Sequence, residues 1–301
     1  MIPFAMIFPG QEKQNIKILK KIYQTNKIIQ NTFKKASEYL KYDLFKSITK
    51  KKINKKFKKN NFLQLGILTT SYAIYKLWKF RIGLRPKIMT GHSLGQYSAL
   101  VCSKVLKFSD AIKMVAYRTK IMQKKKGSMY AIFKLKKSII KKFCNKYSKK
   151  NRVSIACINS SNQIIITGNK KYSKKISKKC KNNGAKRIVK LNNTTISHCP
   201  SMKNLKKKML RKFKKTIFYK PETLIIDSTK VKILENPKKI KSCLINQLCK
   251  TVKWNDTIHF MIKNKIKYFL EMGLNNTLTQ FHKNEKKYIS LNIKKILNLK
   301  E

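Results

Sequence analysis

Acidic side chains are scarce in this chain: 11 Asp and Glu stand against 73 Lys and Arg among 301 residues, a formal net charge of +62. Such an imbalance ordinarily points to nucleic acid or an anionic membrane. Arginine, however, is also scarce, occurring only at Arg81, Arg85, Arg118, Arg152, Arg187 and Arg211. Base reading and bidentate phosphate contacts favour the guanidinium over the ammonium. The lysines are spread along the whole chain and share A/T-rich codons with the abundant Asn and Ile. The excess therefore reads as mutational drift in an A/T-biased genome, and no nucleic-acid partner is expected. A balanced third-position base composition in the gene would remove that explanation.

Paired cysteines are missing too. Cys102, Cys144, Cys157, Cys180, Cys199, Cys243 and Cys249 include no C-x-x-C spacing, so neither a structural zinc site nor a redox dithiol is indicated. An odd number of thiols suits a reducing cytoplasm. No apolar run is long enough to span a membrane. The opening Ile2–Phe8 lacks a basic n-region and is too short for a signal peptide, so it reads as a first core strand ending at Pro9-Gly10. With 42% hydrophobic residues the chain can bury a full core.

Apolar residues at helical spacing run from Ile16 to Leu40, and Lys50–Asn61 reads as an exposed connector. Phe62–Phe80 reads as a buried helix, Pro86–Thr90 as a strand, and Ala111–Gln123 as a helix capped by Ser109 or Asp110. After Lys124-Lys125-Lys126-Gly127 the order becomes strand (128–135), helix (138–147), strand (153–158), strand (163–167), helix (171–182) and strand (187–191). Asn183-Gly184 stops the second helix. This is the β-α-β-β-α-β order of a ferredoxin-like unit. Helices near 202–215, 240–248 and 256–263 follow, with strands at 223–227 and 268–271. The expected class is α/β: a large subdomain resembling the α/β-hydrolases, 1–126 with 197–301, carrying a small ferredoxin-like insert, 127–196.

Between the 86–90 strand and the helix beginning at Gln96 lies Gly91-His92-Ser93-Leu94-Gly95, a match to the G-x-S-x-G nucleophile elbow. The strand-to-helix context exposes the Ser93 hydroxyl at the sheet edge. The next backbone N–H, on Leu94, points into an oxyanion site at the positive end of the helix. Side chains in place of the glycines would clash in so sharp a turn.

A serine nucleophile needs a base, and there are four histidines. His92 adjoins the serine and shapes the elbow. His259 and His282 lie on lysine-rich helical stretches, where surface placement is expected. His198 follows the last strand of the insert, at the junction of the two units. Hydrolases of the α/β type order their triad as Ser, acid, His, but only Asp110 lies between Ser93 and His198, where a helix cap belongs. The base must then be steadied by a neutral group, a backbone carbonyl or an amide, which shifts the expectation from hydrolysis to acyl transfer.

Phe8-Pro9-Gly10-Gln11, Gly91–Leu100, Arg118 within Tyr117–Gln123, and Ser197-His198 together resemble the malonyl-CoA:acyl-carrier-protein transacylases. Gln64, Asn159-Ser160, Gly184–Arg187, and Asn246-Gln247-Leu248 before Val252-Lys253-Trp254 extend the resemblance, in the family's order, through almost the whole chain. The resemblance implies a Ser93–His198 dyad, with the backbone N–H groups of Gln11 and Leu94 as oxyanion hole. It implies that Arg118, assisted by the Gln11 amide, grips the free malonyl carboxylate, and that the carbonyl of Gln247 steadies His198. Malonyl would move from malonyl-CoA to the phosphopantetheine thiol of acyl carrier protein, supplying fatty acid synthesis, with no metal and no tightly bound cofactor. A cytoplasmic monomer is expected.

The chain departs from the family pattern at Glu12, where glycine is usual, and at Gln96, where glutamate is usual. Gly273-Leu274-Asn275-Asn276 replaces a Gly-Pro-Gly, so a looser loop is expected there. A serine thioesterase or esterase would use the same elbow, and a methylmalonyl transferase would keep Ser93 and His198, with Arg118 optional. A nucleic-acid-binding protein is the third class, for which the sequence offers no motif.

Overall fold

The computed structural model describes residues 2–12, 14–49, 59–146, 153–191 and 195–299. Its first strand, β1 (Phe4–Phe8), is buried along its whole length, the mark of a strand covered on both faces. Asn15 caps α1 (Ile16–Thr25), its side chain accepting from the Ile18 N–H at 3.2 Å. The helical apolar spacing over 16–40 is shared by two helices, because Asn26 is extended and separates α1 from α2 (Lys27–Leu40). Then come α3 (Leu44–Thr49) and α4 (Lys59–Arg81). The expected connector lies largely outside the described residues. The long α4 matches the buried helix expected over 62–80, with Leu65, Leu68, Ala73, Ile74 and Leu77 all at or below 1% exposure.

The elbow joins β2 (Ile88–Gly91) to α5 (Gly95–Cys102), and α6 (Phe108–Met122) follows. Neither Ser109 nor Asp110 caps α6. Its cap residue is Lys107, with no side-chain bond, and Asp110 sits inside the first turn, where a negative charge favours the positive end of the helix.

A second, four-stranded sheet comes next: β3 (Ser128–Phe133), α7 (Lys137–Lys146), β4 (Val153–Ser160), β5 (Gln163–Gly168), α8 (Lys170–Asn182) and β6 (Arg187–Lys190). Tyr147, the expected end of α7, lies outside the described residues. The strand order β4-β5-β3-β6 is antiparallel throughout, the ferredoxin-like arrangement expected from the element order. Gly184, at φ +92°, ends α8, and the Ala185 N–H donates to the Cys180 carbonyl at 3.0 Å, a bond that left-handed glycine permits. Alternation along the strands separates two faces. Tyr130, Ile132, Ile164 and Ile166 pack with Ile140, Cys144, Ile176 and Cys180 of α7 and α8. The intervening residues face the rest of the molecule.

The chain returns through α9 (Lys203–Lys212), β7 (Leu224–Asp227), β8 (Lys232–Leu234), α10 (Pro237–Asn246), α11 (Trp254–Lys263), β9 (Tyr268–Glu271), α12 (Thr277–Phe281), β10 (Ile289–Leu291) and α13 (Ile293–Ile296). The large sheet runs β10-β9-β1-β2-β7-β8, parallel except for β8. Helices cover both of its faces and form two separate apolar cores. The small sheet is sewn to the large unit at its β4 edge, where the Ile158 N–H donates to Val252 O and the Val252 N–H to Ala156 O, each at 2.9 Å. Among the described residues no helix is long and apolar enough to cross a membrane, and no cluster of three or more His, Cys, Asp or Glu side chains could hold a metal.

Candidate active site

The parallel sheet delivers its reactive groups at the C-terminal ends of β1 and β2, as open α/β sheets generally do. Ser93 adopts φ +54°, a strained value for a non-glycine residue that clusters at functional sites. Two glycines permit it. A Cβ on Gly91 would stand 2.0 Å from the Gly95 carbonyl carbon, and one on Gly95 would stand 2.0 Å from Phe8 O. The contact between Gly95 and Phe8 also brings the end of β1, and hence Gln11, beside the turn carrying Leu94. Gln96 braces the elbow from within: its Oε1 accepts from the Gly91 N–H at 3.0 Å and its Nε2 donates to Ile226 O at 3.1 Å.

Ser93 Oγ lies 2.7 Å from His198 Nε2, and His198 Nδ1 lies 2.9 Å from the Gln247 carbonyl oxygen. A carbonyl can only accept, so Nδ1 carries the proton and Nε2 is free to accept from the serine. His198 is 3% exposed. Burial first, and then the positive charge of Arg118, push its pKa down to about 3. The ring is therefore neutral at physiological pH, and among the described residues a backbone carbonyl rather than a carboxylate stands at its Nδ1. Such a pair can take a proton from a hydroxyl as that hydroxyl attacks a carbonyl.

Arg118 projects from α6 into the same cavity and is 2% exposed. Its Nη1 donates to Gln64 Oε1 at 2.7 Å, which also accepts from Thr119 Oγ1 at 2.9 Å, while Gln64 Nε2 donates to Gln11 Oε1 at 3.0 Å. The Arg118 Nε has no partner among the described residues, and its guanidinium stands 5.9 Å from the Tyr97 ring centre. Burial lowers its pKa. Among the described residues the only ion pairs are Lys46–Asp43 and His259–Glu285, so this buried cation lacks an anionic partner. A buried charge without one is costly, and the cavity beside it is where an anionic ligand would supply one.

The cavity measures about 420 Å³. Ser93, His198, Gln11, Leu94 and Arg118 all line it; Gln247 meets it only through His198. Its opposite wall is the free face of the small sheet, including Met129, Ala131, Phe133, Ile165, Val189 and Leu191. His92 Nε2 bonds Asn159 Oδ1 at 2.8 Å, tying the elbow to β4. His259 is half-buried beside Glu285, at 3.3 Å. His282 is not on the surface as expected: it is 1% exposed, 5.6 Å from the Tyr288 ring and 6.4 Å from that of His259. Its lysine neighbours suggested exposure, but the Tyr288 ring stands against it.

Sequence reasoning gave no role to Glu12, Gln163, Thr277 or Phe281, all of which line the cavity. The loop at 273–276, expected to be looser, packs against the end of β1: a Cβ on Gly273 would lie 2.8 Å from Pro9 Cγ and 3.7 Å from Glu12 Oε1.

Against known proteins, the acyl transferase domain family matches residues 5–295. The malonyl CoA-acyl carrier protein transacylase of Buchnera aphidicola subsp. Baizongia pistaciae is 42% identical over 299 residues, covering 97% of this chain and 96% of that one. A 1.7 Å crystal structure of an acyl carrier protein S-malonyltransferase from Vibrio cholerae superposes with a TM-score of 0.89 at 33% identity, covering 96% of each chain. A malonyl-transacylase solved in complex with its type II PKS acyl-carrier protein superposes with a TM-score of 0.90 at 32% identity, covering 96% of this chain and 94% of that one.

Proposed function

Since this chain belongs to the acyl transferase domain family, we propose that it moves a malonyl group from malonyl-CoA to the phosphopantetheine thiol of acyl carrier protein, supplying fatty acid synthesis. The observation that carries the reading is the hydrogen-bonded Ser93–His198 pair sharing a cavity with a buried guanidinium that has no anionic partner among the described residues.

His198 Nε2 takes the Ser93 proton as Oγ attacks the malonyl thioester carbon. The backbone N–H groups of Gln11 and Leu94 receive the developing oxyanion. The tetrahedral adduct collapses, the C–S bond breaks, and the CoA sulfur leaves with the proton held on His198. The Gln247 carbonyl stabilises the transient imidazolium. The carrier's thiol then gives its proton to His198, attacks the malonyl-serine ester, and Ser93 regains its hydrogen. Arg118 pairs with the free malonyl carboxylate, a group acetyl-CoA does not have, and so selects the substrate. The Gln64 bridge holds the amide of Gln11 next to the same carboxylate.

All these groups come from one chain, which supports a monomer as the working unit. The same proposal takes 1–126 with 197–301 as the catalytic subdomain and 127–196 as the insert. It places the reaction in the cytoplasm with no tightly bound cofactor, and with neither nucleic acid nor membrane as partner. Carrier proteins are generally acidic, and the +62 charge would speed their docking at low salt.

The test is intact-protein and peptide mass spectrometry after mixing with malonyl-CoA. A malonyl adduct on Ser93 that holo acyl carrier protein removes is expected. Free malonate released at the same rate without carrier protein would instead indicate a thioesterase.

A further inference from the structure

The nucleophile elbow interrupts the large sheet, and one side chain fills the gap. The register between β2 and β7 stops at Ile88↔Leu224 and Met89↔Ile225. Continued by one step, it would join the Gly91 N–H to the Ile226 carbonyl. The Gln96 carboxamide stands there instead, accepting from the Gly91 N–H at 3.0 Å and donating to Ile226 O at 3.1 Å. A backbone N–H can only donate and a carbonyl can only accept, so the amide has a single orientation. It acts as an inserted peptide group between the two strands. Thr90 Oγ1 donates to the same Ile226 O at 3.0 Å, and Ser228 Oγ to Gly91 O at 3.4 Å.

Gln96 is 4% exposed and lies in the first turn of α5. Its own N–H donates to Ser93 O at 3.2 Å. One residue therefore holds both arms of the elbow, the strand two residues before the serine through its side chain and the serine itself through its main chain. Between them Ser93 keeps φ +54°, a conformation that persists where the surroundings over-determine it.

We propose that Gln96 is a positioning residue for acylation: its carboxamide replaces the rung that the elbow breaks and so sets where Ser93 Oγ stands relative to the attacked carbonyl. The proposal rests on the transacylase reading given above. The gap takes an uncharged group with one donor and one acceptor, which an amide is at every pH. A glutamate, the usual residue of the family pattern, meets that need only while protonated; ionised, it would turn an oxygen toward the Ile226 carbonyl. Among the described residues the buried titratable groups on the strands and helices packed around Gln96 are Asp227 on β7, Tyr97 and Cys102 on α5 and Arg118 on α6, with His92 in the elbow itself. Burial and the charge of Asp227 would hold a carboxyl at position 96 protonated above the ordinary carboxylate range, with Arg118 acting against them.

The experiment measures single-turnover malonylation of Ser93 and KM for malonyl-CoA from about pH 6 to about pH 9.5, a range that brackets the titration of buried glutamates, in the full-length wild type, Gln96→Met and Gln96→Glu. The wild-type rate should be flat, because His198 is neutral throughout. Gln96→Met keeps the volume and neither bond. It should slow acylation by about 10- to 100-fold, the cost of a slightly misplaced catalytic group, with KM within about twofold. Gln96→Glu should acylate within about threefold of the wild type at the acid end and fall toward the Met variant as pH rises. A Met variant at the wild-type rate, a Glu variant as slow as the Met variant at the acid end, or a Glu variant that tracks the wild type across the whole range would each overturn the proposal. The Glu variant decides the matter if the Met variant does not fold. If the wild type itself forms no malonyl-Ser93, the transacylase reading fails instead, so the two failures are told apart.

Discussion

Where β1 and β2 end, the backbone turns sharply and delivers Gln11, Ser93 and Leu94 within one cavity. Across that cavity the small sheet presents side chains along its strands, Met129, Ala131 and Phe133 of β3 together with Gln163 of β5 and Arg187 of β6. One wall consists of strand ends, a helix N-terminus and strained backbone; the other is a flat, mostly apolar sheet face. The difference follows from what each geometry can offer. Free N–H groups and an exposed nucleophile exist only where a ladder stops. A continuous antiparallel ladder satisfies its own backbone and is left with shape. Reactivity should therefore belong to the first wall and acyl-group choice to the second, with Arg118 on α6 reaching between them.

The largest expected effect breaks the reactive wall directly. Ser93→Ala should abolish the acyl-enzyme, a loss of about 10⁴-fold or more in transfer. His198→Ala should cost about 10²- to 10⁴-fold, the usual range for a general base, with the fold retained. Rapid-quench labelling with malonyl-CoA reads both. Labelling of the Ser93→Ala protein at another residue at the wild-type rate would remove Ser93 from the mechanism.

Arg118→Ala should act selectively. Malonyl transfer falls by about 10²-fold, the value of charge-assisted hydrogen bonds in a buried site, while acetyl and other uncharged acyl groups are tolerated better. Competition between malonyl-CoA and acetyl-CoA reads the ratio. An unchanged malonyl preference in the variant would refute the role.

The shape wall should respond to bulk. Ala131 is 4% exposed and lines the cavity. Ala131→Leu should reject methylmalonyl relative to malonyl by about 10-fold, the discrimination one or two methylenes provide, and should destabilise the small sheet by about 1–3 kcal/mol through overpacking. An unaltered acyl preference at unaltered stability would mean that this face is not the one that measures the acyl group.

The reactive wall was largely legible in the sequence because its constraints are local. Gly91 and Gly95 are required by clashes within a few residues of Ser93, and the placement of His198 at a junction followed from the element order. Asp110 as the sole acid between them already excluded a conventional triad, and the carbonyl of Gln247 does stand at His198 Nδ1. Less local features were not legible. The three-residue strands β8 and β10 exist through pairing with β7 and β9, which no periodicity that short reveals. His282 sits among Lys283, Lys286 and Lys287, yet its ring is buried beside those of Tyr288 and His259. The approach of Glu12 to Gly273 joins opposite ends of the chain, and either partner read alone looked like a mere departure from the family pattern.

That flank of the cavity gives the smallest and subtlest test. Burial lowers the pKa of His282 to about 4 and, with the charge of Arg118, that of His198 to about 3, while it raises Glu271 to about 7. The histidines resist protonation when folded, so their contribution is complete above the ordinary value of 6.5 and is lost as pH falls below it. Glu271 holds its proton more tightly when folded, so its contribution is complete below 4.5 and disappears as pH rises through about 7. Burial lowers His92 and raises Glu12 in the same way, so between pH 5 and 6.5 three histidine protons taken up by the unfolded chain oppose two carboxyl protons retained by the folded chain. Stability should therefore rise with pH by about 1.4 kcal/mol per unit, one net proton, and level off near pH 7. His282→Phe, which keeps a ring against Tyr288, removes one of the three histidine protons and should flatten the rise over that window. Thermal melts at fixed ionic strength measure the slope; a variant as acid-sensitive as the wild type would mean that His282 is protonated as readily in the folded chain as in the unfolded one, and that its burial has no consequence for pH.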